Sequence, residues 1–194
     1  MNYILETIVR WLERESAISS KEVPLFAYGL YSFIWGLLPV YIITVIGIMF
    51  NMLREGFLLI LPFMLIRKFS GGYHFDSARL CFVATVVLLS IALRLAKLII
   101  YSNQISVLTF LVLLSVVCIC ICSPADNCAR KLSRKEQKVF RLLARIIVVV
   151  ALASYLWFVY KSSITIAAPL GIGIIIPALL QLPCILSSNG MPRT

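Results

Sequence analysis

His74 and Cys81, seven positions apart, are the residues of this 194-residue chain best suited to covalent chemistry. A thiol and an imidazole form the minimal pair for nucleophilic catalysis, in which the imidazole removes the thiol proton and later donates one to a leaving amine. His74 is the single histidine, and Arg67, Lys68, Ser70, Asp76, Ser77 and Arg79 surround it in an otherwise apolar chain. A lone histidine beside an apolar run is more often a packing or interfacial residue. Here the preceding Gly71-Gly72 pair, which allows unusual backbone angles and close approach by a bound chain, favours the chemical reading.

Spacing limits how the two can meet. On a continuous helix, seven residues turn by about 700° and rise by about 10.5 Å, so the side chains share a face but lie beyond the roughly 3 Å of a hydrogen bond. The chain must fold back between them, with His74 in a glycine-led loop and Asp76 or Ser77 capping the next helix. Cys81 then falls just beyond the first turn, where the helix dipole and nearby basic residues favour the thiolate. Backbone N–H groups around Gly71 and Gly72 are the first oxyanion donors to consider. Cys118, Cys120 and Cys122 alternate in an apolar run with no histidine or acid beside them, which suits packing. A zinc site needs about four converging ligands, so no metal and no cofactor is expected.

The elements that position these residues follow from composition. Apolar residues make up 61% of the chain and charged residues 13%, against roughly 45–50% and 25% in soluble domains. A soluble globule of this size could not hide so much apolar surface. A soluble enzyme, a disordered tail and a free nucleic-acid binder are excluded. The expectation is an all-α polytopic membrane bundle, one integral membrane domain over 1–194, with about six transmembrane or partly inserted helices. Residues 3–14 put Ile4, Leu5, Ile8, Trp11 and Leu12 on one helical face and Glu6, Arg10 and Glu13 on the other, predicting an amphipathic interfacial helix within 1–20. With its acidic residues, this amino-terminal part does not read as a cleavable signal peptide. Spans are expected at 26–50 (kinked at Pro39), 80–100, 105–123, 142–160 and 165–186, with a short or broken helix at 52–66. Between them lie a catalytic polar loop at 67–79 and a basic loop at 124–141.

The net charge of +10, from 18 Lys and Arg against 8 Asp and Glu, fits positive-inside topology and anionic lipid rather than nucleic acid. No polar segment interleaves basic and aromatic residues as a nucleic-acid surface would. Arg130, Lys131, Arg134, Lys135, Lys138 and Arg141 make the 124–141 loop cytoplasmic, which places 67–79 and both termini on the same side. Arg94 and Lys97 then have to snorkel to the outer interface. No broken helices recur at matching positions of two halves, which weighs against a secondary transporter.

The stretch RKFSGGYHFDSARLC, residues 67–81, closely resembles the signature of the accessory gene regulator B (AgrB) family: a basic residue, a Gly-Gly pair, a histidine, and a cysteine seven positions on. Tyr28-Gly29-Leu30, Ser123-Pro124-Ala125-Asp126 and the chain length are also similar. Tyr31 stands where that family commonly has a polar or acidic residue, and DNCARKLSRK (126–135) lacks its common Lys-Pro pair. The resemblance implies a multi-pass cysteine endopeptidase of the cell membrane, active in Gram-positive quorum sensing near the cytoplasmic face. It would cleave the C-terminal part of an AgrD-like precursor peptide through an acyl thioester and promote cyclisation to a thiolactone or lactone. It also implies catalytic roles for His74 and Cys81, and a homodimer. Arg67, Ser70, Gly71, Gly72 and Asp76 are candidates for binding substrate or stabilising the oxyanion, and Arg134, Lys135 and Lys138 for holding the acidic tail of the precursor. The alternatives are a membrane peptide exporter using Arg94 and Lys97, or a peptide-binding subunit without covalent catalysis.

Overall fold

A computed structural model of the chain describes residues 23–72, 77–123 and 134–188. The expected amphipathic helix within 1–20 lies outside the described residues. Among those described the protein is an all-α membrane bundle of six helices: α1 (Val23–Met49), α2 (Leu53–Ser70), α3 (Ala78–Ser102), α4 (Ile105–Cys122), α5 (Arg134–Tyr160) and α6 (Ile164–Ser188). Helices are the answer that lipid imposes on such runs, because every backbone N–H and C=O must be satisfied within the segment. Residues 79–102, 105–122, 137–160 and 164–183 are each long and apolar enough to cross a membrane. The chain divides into two compact units, 1–41 and 42–194. The first contains the beginning of α1, helical through Pro39.

Two boundaries differ from the sequence expectation. Residues 134–141, expected in the basic loop, are the opening turns of α5, and Arg67 to Ser70, expected in the polar loop, are the last turn of α2. Lys, Arg, Glu and Gln are nearly as good helix formers as Leu, so a helix continues past the end of its apolar run. The segment expected to be short or broken is short and continuous, with Pro62 inside it. Between Glu55 and Arg67 it offers eleven uncharged residues, about 16 Å of helix against about 30 Å of hydrocarbon. One face of α2 is covered by protein instead, burying Leu59, Ile60, Phe63 and Ile66.

Within 42–194 the central helix is α6. Of its span, 67% is buried, against 28% or less in the other three, and it packs against α2, α4, α5 and α3. Small residues allow this. A Cβ on Gly173 would fall on the Leu59 carbonyl oxygen and 2.6 Å from the Pro62 ring; one on Gly171 would lie 2.9 Å from the Tyr155 ring and 3.1 Å from Leu108. Close backbone approach of this kind replaces the hydrophobic drive that lipid cannot supply. Tyr155 is fully buried and its hydroxyl shares a 2.8 Å hydrogen bond with Thr109 Oγ1.

Short turns join α1 to α2, α3 to α4 and α5 to α6. Each contains a residue in the left-handed region: Asn51 (φ 53°), Asn103 (φ 56°) and Ser162 (φ 53°). The first is closed by the Met52 N–H donating to the Gly47 carbonyl at 2.7 Å. The polar connections 71–77 and 123–133 leave from the other ends of their helices.

Gly173→Ala should therefore lower stability by about 1–3 kcal/mol, the usual cost of overpacking. Gly36, where an added Cβ would meet nothing within 4 Å, should accept Ala without loss. Thermal unfolding of the two variants in detergent micelles provides the comparison, and equal melting temperatures would contradict the close contact.

Candidate active site

The polar end of the bundle starts where α2 stops. Gly71 caps the helix at φ 75° and ψ −156°, its N–H donating to the Arg67 carbonyl at 3.2 Å, and Gly72 follows at φ 139°. Both angles suit glycine. Gly72 also passes close over α6, where a Cβ would lie 3.4 Å from the Leu180 carbonyl oxygen. Of the glycine pair considered as oxyanion donors, Gly71 has its N–H committed to the helix end. Ser70 is fully buried, and its Oγ donates to the Gly71 carbonyl at 3.3 Å. Arg67 lies 5.7 Å over the Phe63 ring and Lys68 5.8 Å over Phe69. As cations in the last turn of α2 they complement its dipole.

His74 and Asp76 lie outside the described residues. The chain is described again at Ser77, which takes the N-cap position of α3 (φ −92°, ψ 123°) without a side-chain cap bond. Cys81 is the fourth residue of α3. Its N–H donates to the Ser77 carbonyl at 3.0 Å, its carbonyl accepts from Thr85 Oγ1 at 2.8 Å, and its side chain is half-buried. Leu80, Val83, Ala84, Val87, Leu88 and Ile91 make a separate, open apolar face of α3 that does not include Cys81.

A second group converges from α4, α5 and α6. Ser123 follows α4 and is buried; its carbonyl accepts from Arg141 Nε at 3.2 Å. One turn earlier the Cys120 carbonyl accepts from Arg145 Nε at 3.3 Å and Nη2 at 3.2 Å. Arginines of α5 thus satisfy carbonyls that the end of α4 leaves without helical partners. Phe69 and Phe140 meet with ring centroids 5.9 Å apart, bringing the end of α2 beside the start of α5. Gln181 of α6, fully buried, joins the groups: its Nε2 donates to the Ser70 carbonyl at 3.2 Å and to Ser123 Oγ at 3.1 Å. Because a carbonyl can only accept, the amide must turn its nitrogen toward Ser70.

Of the expected site residues, Arg67, Ser70, Gly71 and Gly72 are thus brought to the same end as the opening turns of α5, which contain Arg134, Lys135 and Lys138. Lys138 is exposed. Arg94 is exposed and stacks 4.8 Å over the Phe50 ring beside the α1–α2 turn, toward the opposite end. Lys97, on the same helix, is also exposed. Sequence reasoning missed Gln181 and Ser123. The available signal was Gln181 itself, the lone amide in the apolar run 166–186, since a polar residue within a span is by default a functional position.

The sequence matches the family described as accessory gene regulator B over residues 5–182. It is similar to an AgrB-like protein of Clostridium perfringens strain SM101, with 30% identity over 61 residues, 31% of this chain and 28% of that protein. It is also similar to AgrB-like protein 2 of C. perfringens strain 13, with 24% identity over 85 residues, 44% of this chain and 40% of that protein. The chain thus covers less than half the length of these relatives. No solved structure matches significantly.

Gly72→Ala should strain the turn by about 1–3 kcal/mol, the cost of a non-glycine residue in a sparsely allowed backbone region. Amide exchange in a peptide covering 68–72 should rise several-fold, with the exchange of 105–119 unchanged. Unaltered exchange at 68–72 would show that the turn has no need of glycine.

Proposed function

The chain belongs to the accessory gene regulator B family, and on that premise we propose that it is a membrane cysteine endopeptidase that processes an AgrD-like precursor peptide in Gram-positive quorum sensing. The observation that carries this reading is the break between α2 and α3. Gly71 and Gly72 leave the helix with positive φ, and α3 starts only at Ala78. His74 and Cys81 are therefore not held on one straight helix, the arrangement that would keep them about 10.5 Å apart along its axis.

In the proposed reaction His74 removes the proton from Cys81 Sγ, and the thiolate attacks the scissile carbonyl of the precursor. The C–N bond breaks, His74 returns the proton to the departing amine, and the N-terminal part of the peptide remains as an acyl thioester on Cys81. An internal cysteine thiol or serine hydroxyl of the peptide then attacks that carbonyl. The C–S bond to Cys81 breaks, the proton passes back to its sulfur, and a thiolactone or lactone is released. No cofactor enters the balance. The Gly72 N–H is the donor of the glycine pair assigned to the oxyanion. Ser77 occupies the cap position of α3 without a side-chain cap bond, and Asp76 is assigned to orient His74. An apolar site that limits water would protect the thioester until the internal nucleophile arrives.

Arg67 and the α5 residues Arg134, Lys135 and Lys138 are assigned to the precursor, the last three to its acidic tail. Their charge supports a cytoplasmic position for this end by the positive-inside rule. The family resemblance further implies a homodimer.

With purified protein in liposomes and a synthetic AgrD-like precursor, Cys81→Ala should abolish cleavage as read by mass spectrometry, and His74→Gln should reduce it by about 10²-fold or more. Cys118→Ala and Cys122→Ala should retain substantial activity. Cleavage by the Cys81→Ala protein would end the thiol-protease reading.

Reversing Arg134, Lys135 and Lys138 to Glu should raise KM for the precursor and flatten its salt dependence, because charges on an accessible surface are screened beyond about 8 Å at physiological ionic strength. An unchanged KM in correctly inserted protein would restrict these residues to topology and lipid contact.

A further inference from the structure

Gln181 has no place in the reaction derived above, yet it touches the last residue of α2 and the first residue after α4, where the two polar connections begin. Ser70 immediately precedes the Gly71–Gly72 turn, and Ser123 immediately precedes the segment leading to the basic opening of α5. The amide nitrogen spends its two hydrogens on these two positions, at 3.2 and 3.1 Å. Its oxygen, equally buried, has no hydrogen-bond partner among the described residues. What two neutral hydrogen bonds return is similar in size to the cost of stripping water from an amide oxygen left without a donor. The amide's own balance therefore adds little to stability, although its loss would leave the buried Ser123 hydroxyl and Ser70 carbonyl without this donor. What the amide does supply is direction. It fixes the height of the α2 end and of the α4 end against one point of α6.

We propose that Gln181 is a positioning residue, a clamp that sets the Gly71–Gly72 turn, and with it the segment containing His74, at a fixed distance from the end of α4. This rests on the endopeptidase reading for its effect on rate, though not for the clamp itself. Ser123 is the second half of the device. Its hydroxyl receives the Gln181 N–H while its carbonyl is held by Arg141 at 3.2 Å, so the clamp reaches through Ser123 to the helix that carries Lys135 and Lys138. A clamp acts on the geometry of the reacting groups more than on capture of the substrate tail, and its loss should appear in kcat.

The test uses the full chain in liposomes, with a synthetic AgrD-like precursor for kinetics and amide hydrogen exchange as a readout independent of activity. Gln181→Met should lower kcat about tenfold, as expected for losing one to two net hydrogen bonds of alignment, with KM within about twofold. It should raise exchange in peptides covering 68–72 and 119–123 together. Ser123→Ala should lower kcat by a smaller factor, and the double variant should be no slower than Gln181→Met, because both remove the same link. Multiplying effects in the double variant, a raised KM at unchanged kcat, or wild-type exchange in both segments would each overturn the clamp. Should Gln181→Met fail to accumulate, Ser123→Ala decides alone: increased exchange at 68–72 as well as 119–123 supports the clamp, and an increase confined to 119–123 refutes it. If the unmodified protein does not cleave the precursor, the endopeptidase reading falls, while the exchange data still decide whether the clamp exists.

Discussion

Gly173 brings the backbone of α6 against the Leu59 carbonyl of α2, and two positions earlier Gly171 admits Leu108, Val112 and Tyr155 from α4 and α5. These contacts fix the levels of the helices, since no larger residue fits and no slip along the axis preserves them. From Val112 to Ser123 and from Leu59 to Ser70 are eleven residues each, a rise of about 16 Å. From Gly171 and Gly173 to Gln181 the rise is about 12–15 Å. Three helices running in the same direction thus reach the polar end at nearly one level, and a single amide can touch two of them. The hydrogen bonds at Ser70 and Ser123 depend on the glycine contact a dozen ångströms away.

Because α6 is surrounded, its composition answers to neighbours rather than to lipid. Its glycines, its three prolines and its glutamine all lie in the helix with the largest buried share. The outer faces of α3, α4 and α5 are instead covered in Leu, Ile, Val and Phe, as an exposed face in a bilayer requires. The arginines at 141 and 145 combine both demands. Their charges stay at the exposed surface while their guanidinium groups satisfy carbonyls at the end of α4.

Much of this was legible in the residues. Apolar runs located α3, α4 and α6 to within a few positions, and charge patterning singled out the two connections that leave from the polar end. The block from Arg67 to Cys81 marked the family and the break between helices at Gly71–Gly72. What was not legible depends on partners distant in sequence. The helical extensions at 67–70 and 134–141 are polar and carry no apolar period to announce them. The shortness of the run at 52–66 already pointed to packing in protein rather than lipid, but local sequence does not say which helix covers Leu59 and Phe63, or that Gln181 meets Ser70, which is 111 positions away. His74 itself lies outside the described residues.

The three left-handed turns at Asn51, Asn103 and Ser162 give the bundle a mechanical polarity. Within 42–194, α3 is tied to α4 and α5 to α6 by links of two or three residues at one end, so each pair would part more easily at the other, like the arms of tongs. A 25-residue helix is about 37 Å long, so a tilt of about 5° at the tied end moves the free end by about 3 Å. That displacement equals the length of one hydrogen bond. The Gln181 amide joins the free end of α6 to those of α2 and α4, none of which is tied directly to another, so a tilt of that size in any one of the three would exceed the reach of its hydrogen bonds.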